Sequence, residues 1–388
     1  MGFAGFTVVM PFLPLYISEL GVSDVGEIAM WSGLTLGATP AITAISAPLW
    51  GRVGDRYGSK VLVIRSLGAF VLTKGAMAFV TAPWQLVALR GLLGVFAGYG
   101  ALTMSMAAES VPRAEMPRAI GAVQMAQRLG PALGPIVGGM LAPVVGLRRA
   151  FLVTALFYLA ALLMVVVFYR EPRTRHARAA ARSLVSVVRE LAATPGFLPA
   201  LAVIFTLQTV DRSFSPILPL FVEQLGTAGS RVATVSGLLF SLAAVCAAVG
   251  HKVAGGLLAR WSPRLLVTTV AVTTAAALAA MVLLPSMWTL TLALVTASLG
   301  IGVAMTAAYS VAGALLPADA HVTGFGIMTT ASLVGLAFSP VLAGFVGASG
   351  LGIVFVVDIA LLVGLAMLAA ARMRPARVQE AIDAPETP

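Results

Sequence analysis

The sequence predicts an all-α membrane protein, with twelve transmembrane helices in two pseudo-symmetric six-helix bundles. Three observations predict it. The 388 residues are 59% hydrophobic and only 10% charged, with a mean hydropathy of +0.99. A soluble domain carries about 25% charged residues, so this much apolar surface needs lipid as its solvent. Apolar runs of helical length recur along the whole chain, without the dyad alternation of barrel strands. The second half also repeats the first at a nearly fixed offset.

A bilayer core of about 30 Å takes roughly 20 apolar residues per helix. The expected spans are 1–20, 30–50, 61–81, 85–107, 119–142, 150–169, 198–222, 232–250, 265–284, 287–310, 323–347 and 353–371. Their connections are mostly short, so neighbours run antiparallel. The first bundle is expected over 1–169, a basic linker over 170–197, the second bundle over 198–372 and a tail over 373–388. The opening stretch GFAGFTVVMPFLPLYISEL has no basic leader and no small-residue cleavage site, so it is not read as a signal peptide. It is short for a first helix with two prolines, and that helix is expected to begin upstream of Met1.

The formal charge of +10 could suggest nucleic acid, but the basic residues sit in short blocks between the apolar runs. That is a topology signal of a membrane protein. Arg52, Arg56, Lys60, Arg113, Arg118, the arginines of 170–190, Lys252, Arg260, Arg264, Arg372, Arg374 and Arg377 fall on one side. Arg148, Arg149 and Arg231 fall on the other. Both termini and the linker are therefore expected to face the cytoplasm, across the inner membrane. The linker reads either as a basic amphipathic stretch on anionic lipid or as a solvated charge run. The lone Cys246 lies in an apolar run and can form neither a disulfide framework nor a thiolate metal site.

The repeat runs at 204 or 205 residues. Pro11, Pro14, Leu15, Leu20 and Gly21 return as Pro216, Pro219, Leu220, Leu225 and Gly226. Ser32-Gly33-Leu34 returns as Ser236-Gly237-Leu238. Gly51, Arg56, Lys60, Leu62 and Val63 return as Gly255, Arg260, Arg264, Leu266 and Val267, and Pro135 and Gly139 as Pro340 and Gly344. Two parallel six-helix repeats are the plan of transporters in which the halves rock about a central site.

Particular motifs carry a family resemblance. GRVGDRYGSK at 51–60, between spans two and three, resembles the signature loop of the major facilitator superfamily. Arg90 in ALRGLLGVFAGYG resembles that family's basic residue in span four. GPALGPIVGG at 130–139 resembles the antiporter motif of span five, which marks the twelve-helix drug:proton antiporter branch. VMPFLPLYISELG, with MWSG beyond it, is similar to the MdtG-type multidrug exporters. The resemblance covers the whole chain. It implies a monomer that exports small amphipathic substrates in exchange for protons by alternating access.

The motifs also have a physical reading. Gly130, Gly134 and Gly138 fall on one helical face, where a neighbouring helix can approach closely. Pro135 bends the helix and Gly139 softens the bend. A pliable, close-packed seam of this kind can seal one side and part on the other. In the 51–60 loop, Gly51, Gly54 and Gly58 are expected to permit a tight turn. The resemblance implies that Asp55 and Arg56 latch the cytoplasmic side, with Lys60 beside them. The second half has Ala259 where Asp55 stands, so such a latch is one-sided.

Ionisable residues inside hydrocarbon are functional candidates because they are costly there. Arg90, in span four, and Arg128, in span five beside Gln127, are candidates for the proton or substrate path. Lys74 lies near the outer end of span three, where a lysine can snorkel. Asp358 lies near the start of span twelve, an outer helix in the resembled fold. Asp211, midway along span seven, is the chief candidate for proton coupling. Arg212 follows it about 100° round the helix, so its partner is expected on another helix, with Arg128 the first choice.

The central cavity implied by the resemblance would be contacted by Phe12, Tyr16, Tyr99, Met104, Gln124, Gln127, Gln208, Arg212, Phe214, Met305 and Tyr309. Aromatic rings and flexible methionines suit variable amphipathic ligands. A transporter of one metabolite, such as a sugar or organic anion, is the first rival reading, and a non-transporting membrane sensor or scaffold the second. The three histidines, His176, His251 and His321, are expected in cytoplasmic loops, away from any metal cluster. There is no phosphate-cradling G-x-x-x-x-G-K loop. No cofactor and no enzymatic activity are expected.

Overall fold

The computed structural model describes the backbone at 5, 7–57, 59–97, 103, 106, 116–169, 184–316 and 321–373. Side chains are described at these positions except 47–49, 51–57, 59, 116–129, 131, 184–188, 321–323 and 325. Among the described residues there are thirteen helices and no strand. In chain order they are α1 Leu13–Glu19, α2 Val25–Tyr57, α3 Ser59–Met77, α4 Pro83–Phe96, α5 Met116–Val145, α6 Leu147–Phe168 and α7 Leu184–Ala193. Then come α8 Phe197–Gln224, α9 Gly229–Leu258, α10 Pro263–Leu283, α11 Met287–Ala314, α12 His321–Ala348 and α13 Leu351–Arg372. Helices α1–α6 fall on expected spans one to six and α8–α13 on spans seven to twelve. Seven of the helices are long and apolar enough to cross a membrane: α2, α6 and α9–α13.

Local chemistry explains many of the helix ends. Gly21 and Gly226, a matched pair of the repeat, have φ of +94° and +90° after α1 and α8. A left-handed residue that closes a helix favours glycine, so the same turn ends spans one and seven. Pro83 and Pro263 open α4 and α10, where the missing N–H costs nothing. The Ser262 hydroxyl accepts from Leu265 N at the start of α10, and Ser286 and Thr289 form a capping box on α11.

Two expectations about loops are corrected. α2 continues through Gly51 and Gly54 to Tyr57, so these two glycines lie in a helix and not in the expected tight turn, and Gly58 lies outside the described residues. No proline between 51 and 57 removes a donor, and a helix keeps its internal hydrogen bonds beyond the hydrocarbon. α9 likewise runs on to Leu258, which puts His251 in a helix, with Nδ1 2.9 Å from the Thr306 hydroxyl of α11. His321 opens α12, and His176 lies outside the described residues.

The chain packs as two compact units. One comprises Met1–His176, Ser215–Leu242 and Pro340–Leu351. Its described core is aromatic. Phe12 meets Phe151 edge-on at 5.6 Å, Tyr16 lies 4.9 Å from Phe151, and Phe70 meets Tyr158 at 5.2 Å. Arg148 closes one end of this unit, donating to the carbonyls of Ala78 and Val80 with its guanidinium 5.8 Å from the Tyr16 ring.

The other unit comprises Ala177–Phe214, Ala243–Ser339 and Gly352–Pro388. α10 packs along α11 in it, and α9 comes so close to α11 that Gly250 faces the Leu299 carbonyl. The linker helix α7 buries Leu191, so part of the linker is tied into the protein.

Candidate functional site

The polar stretch Gln208-Thr209-Val210-Asp211-Arg212-Ser213 interrupts the apolar length of α8. It sits near the middle of a 28-residue helix. Hydrogen bonds to two neighbours hold this stretch in place. Toward α12, the Ser332 hydroxyl donates to Gln208 Oε1 at 3.2 Å, and the Ser339 hydroxyl donates to the Thr209 carbonyl. Gly335 of α12 leaves space for the Phe205 carbonyl and the Gln208 side chain. Toward α13, the Ser213 hydroxyl lies 2.6 Å from Asp358 Oδ2, and Phe214 packs on Phe355 at 5.2 Å.

Asp211 and Arg212 pair with each other. Arg212 Nε lies 3.0 Å from Asp211 Oδ2, and the two side chains are 35% and 23% exposed in that order. This corrects the expectation that the acid looks to another helix. The Cα–Cβ bonds do diverge, but the long guanidinium arm bends back to close the gap. The Arg128 side chain lies outside the described residues.

The residues expected to contact substrate separate into two groups. Gln208 is half-buried, and Ser332, which bonds it, also reaches the half-buried Tyr309 hydroxyl of α11. Among the described residues of the set, these two and the half-buried Arg212 keep some open surface, with its half-buried partner Asp211 beside it. Phe12 and Tyr16 have none: both are fully buried, and the Tyr16 hydroxyl donates to the Met77 carbonyl at 2.8 Å. Phe214 and Met305 are also packed, at 3% and 8% exposure. Tyr99 and Met104 lie outside the described residues, as do the side chains of Gln124 and Gln127.

In the first unit, Arg90 and Lys74 are both buried, at 1% and 0% exposure, and close enough for their charges to interact. Lys74 does not snorkel. Phe70 and Tyr158 meet beside it on α3 and α6, and Lys74 Nζ has no hydrogen-bond partner among the described residues. The Arg90 carbonyl accepts from the Thr39 hydroxyl at 2.9 Å, joining α4 to α2. The charge of Arg65 is placed quite differently. Its guanidinium stacks 3.3 Å over the Trp50 ring and donates to the Phe96 carbonyl.

Each of the two glycine motifs meets the repeat of the other. Gly237 of α9 faces the Pro135 carbonyl and Gly139 of α5, and Thr234 donates to the Gly139 carbonyl at 2.9 Å. Gly33 of α2 faces the Pro340 carbonyl and Gly344 of α12. A side chain at any of these four glycines would collide with opposing backbone. Gly138 faces the Val8 carbonyl, so the expected small face of α5 looks toward span one, while Gly139 looks toward span eight. Gly130, Gly134 and Pro135 are buried. Lys60 donates to the Val166 and Tyr169 carbonyls and so caps the end of α6. Asp55 and Arg56 lie on the last turn of α2, with their side chains outside the described residues.

Residues 1–282 match the Major Facilitator Superfamily. The chain belongs to that superfamily. A major facilitator chain is a membrane transporter, not an enzyme, and this one is a multi-pass inner-membrane protein. It is 32% identical over 316 residues to the multidrug resistance protein MdtG of Rahnella sp., covering 81% of this chain and 74% of that protein. It is 33% identical over 266 residues to MdtG of Citrobacter koseri, covering 69% and 66%. To a multi-drug resistance efflux pump PmrA homolog of Lactococcus lactis it is 31% identical over 254 residues, covering 66% and 62%. The match thus spans slightly less than two thirds of the Citrobacter and Lactococcus proteins. Among solved structures, a bacterial homolog of the human lysosomal transporter Spinster aligns with a TM-score of 0.79 at 17% identity, over 97% of this chain and 96% of that one. The nucleoside transporter NupG aligns with a TM-score of 0.76 at 13% identity, over 96% and 98%. These two likenesses establish the twelve-helix major facilitator fold.

Proposed function

We propose that this transporter exports small amphipathic compounds in exchange for protons, by alternating access of its two six-helix halves, with both termini in the cytoplasm. One observation carries the coupling: a partly open Asp211–Arg212 ion pair midway along α8. Protonation of Asp211 removes its charge and releases Arg212. The pair therefore differs between the two proton states, and a ligand or proton shifts a conformational equilibrium only through such a difference. Gln208 and Tyr309 offer polar contacts beside it, and an apolar cleft with few polar groups suits amphipathic molecules. The names of the MdtG and PmrA relatives favour export of varied compounds. The organic-anion reading loses a handle, because Arg212 is already paired.

The test is efflux of a fluorescent cationic dye from cells lacking their own pumps, for wild type and Asp211→Asn, with and without a protonophore. Export that the protonophore stops, and that Asp211→Asn lacks at normal expression, is the expected result. An Asp211→Asn protein that pumps like wild type removes Asp211 from the mechanism. A wild type that exports no compound of a broad panel removes the multidrug reading.

A further inference from the structure

Asp358 is a carboxyl that the coupling scheme above does not use. It is the eighth residue of α13, about 10 Å along the helix axis from its start, and it is only 2% exposed. The side chain is turned inward toward α8. Among the described residues its hydrogen-bond partner is Ser213 of α8. The charged groups around it are few. On α8 they are Asp211 and Arg212, already paired with each other, and Glu223 in its last turn. α11 has none, α10 has Arg264 in its first turn, α12 has His321 at its start, and α13 otherwise has Arg372 in its last turn.

The geometry at Ser213 decides the form of the carboxyl. The Ser213 oxygen lies 2.6 Å from Asp358 Oδ2 and 2.9 Å from the Val210 carbonyl oxygen. A serine hydroxyl has one hydrogen, and both of these neighbours are acceptors when the carboxyl is ionised. Only one contact could then be a hydrogen bond, and a buried anion would be left with one neutral donor. With the proton on Asp358, the chain closes: Asp358 donates to Ser213, and Ser213 donates to Val210. Every hydrogen has a place and no charge is buried.

We propose that Asp358 is a second proton-binding carboxyl of the transport cycle, neutral while Ser213 bridges it to α8 and able to lose its proton when α8 and α13 separate at that contact. Ser213 lies two residues beyond Asp211, so loss of the bridge moves the segment that bears the Asp211–Arg212 pair. On ionising, Asp358 gives its proton to water that reaches it where the two helices part, and Ser213 keeps its bond to the Val210 carbonyl. Asp358 is thereby a positioning residue, acting through α8, and this role rests on the proton-exchange reading above.

The test separates the two. Infrared spectra of the purified protein in lipid nanodiscs report the protonated carboxyl C=O stretch without any substrate. At neutral pH, wild type should show a band that Asp358→Asn removes and Ser213→Ala shifts. An Asp358→Asn spectrum that keeps the full band shows Asp358 ionised and overturns the proposal, and an unshifted Ser213→Ala band removes Ser213 from it. In proteoliposomes, Asp358→Asn should lose dye accumulation driven by a pH gradient by about tenfold, within the range typical of coupled sites, while downhill dye exchange persists. Gradient-driven accumulation equal to wild type overturns the coupling role. If wild-type liposomes move no dye, the export reading fails while the infrared result still decides the state of Asp358.

Discussion

The Pro340 carbonyl fills the space where a side chain at Gly33 would stand. The matching residues of the repeat do the same, with the Pro135 carbonyl filling the space over Gly237. One packing device thus occurs twice, joining α2 to α12 and α9 to α5. Gly33→Val and Gly237→Val should each force these helices apart. Overpacking of this kind costs about 1–3 kcal/mol. Both variants should melt several degrees lower and export less, and the two losses should be similar. Thermal unfolding and dye efflux on the pair measure this. A tolerated valine at either site would show that the backbones need not meet there.

Tyr16 makes its polar contact inside the protein, with the Met77 carbonyl. Tyr16→Phe should therefore lower stability by about 1 kcal/mol, the usual net worth of one hydrogen bond. The range of exported compounds should not change. Resistance profiles over a drug panel, beside thermal unfolding, separate this from a direct ligand contact.

Gln208 and Tyr309 share Ser332. Their effects on export should therefore be non-additive. Gln208→Ala and Tyr309→Phe should couple in a double-mutant cycle by about 0.5–1 kcal/mol in KM, as expected for neighbours in one network. Ser332→Ala should abolish that coupling. Additive losses would mean the two residues act separately.

Lys60 caps α6 through the Val166 and Tyr169 carbonyls. A cation at a helix C-terminus contributes about 0.3–1 kcal/mol. Lys60→Ala should lose stability of that order and Lys60→Arg should recover it, with thermal unfolding as the readout. Failure of Arg to restore stability would point to a need for the smaller ammonium.

Much of the architecture is legible in the residue string. Span positions follow from apolar length, and the repeat offset picks out Gly21 with Gly226 and Pro135 with Pro340, pairs that the fold uses alike. Rotation about each helix axis is far harder to read. α13 is apolar nearly all round, so its sequence has no stripe to show that Asp358 faces inward. Lys74 on α3 poses the same problem: its place in the sequence allows snorkelling, and the side chain is buried. Tyr16 and Phe12 look like cavity aromatics by type, yet Phe151 of α6 claims both rings. Ideal helical angles misled at Arg212, because they describe Cβ directions and not the reach of a flexible arm.

The local pairing of Asp211 with Arg212 also bears on how α8 enters the membrane. An aspartate or arginine at the centre of an inserting helix costs about 2.5–3.5 kcal/mol on the biological insertion scale. Partners on separate helices would leave each helix to carry its own charge until the bundle assembled. Here the two opposite charges leave the translocon side by side on one segment. The span can therefore neutralise itself during synthesis, before its neighbours have emerged from the ribosome.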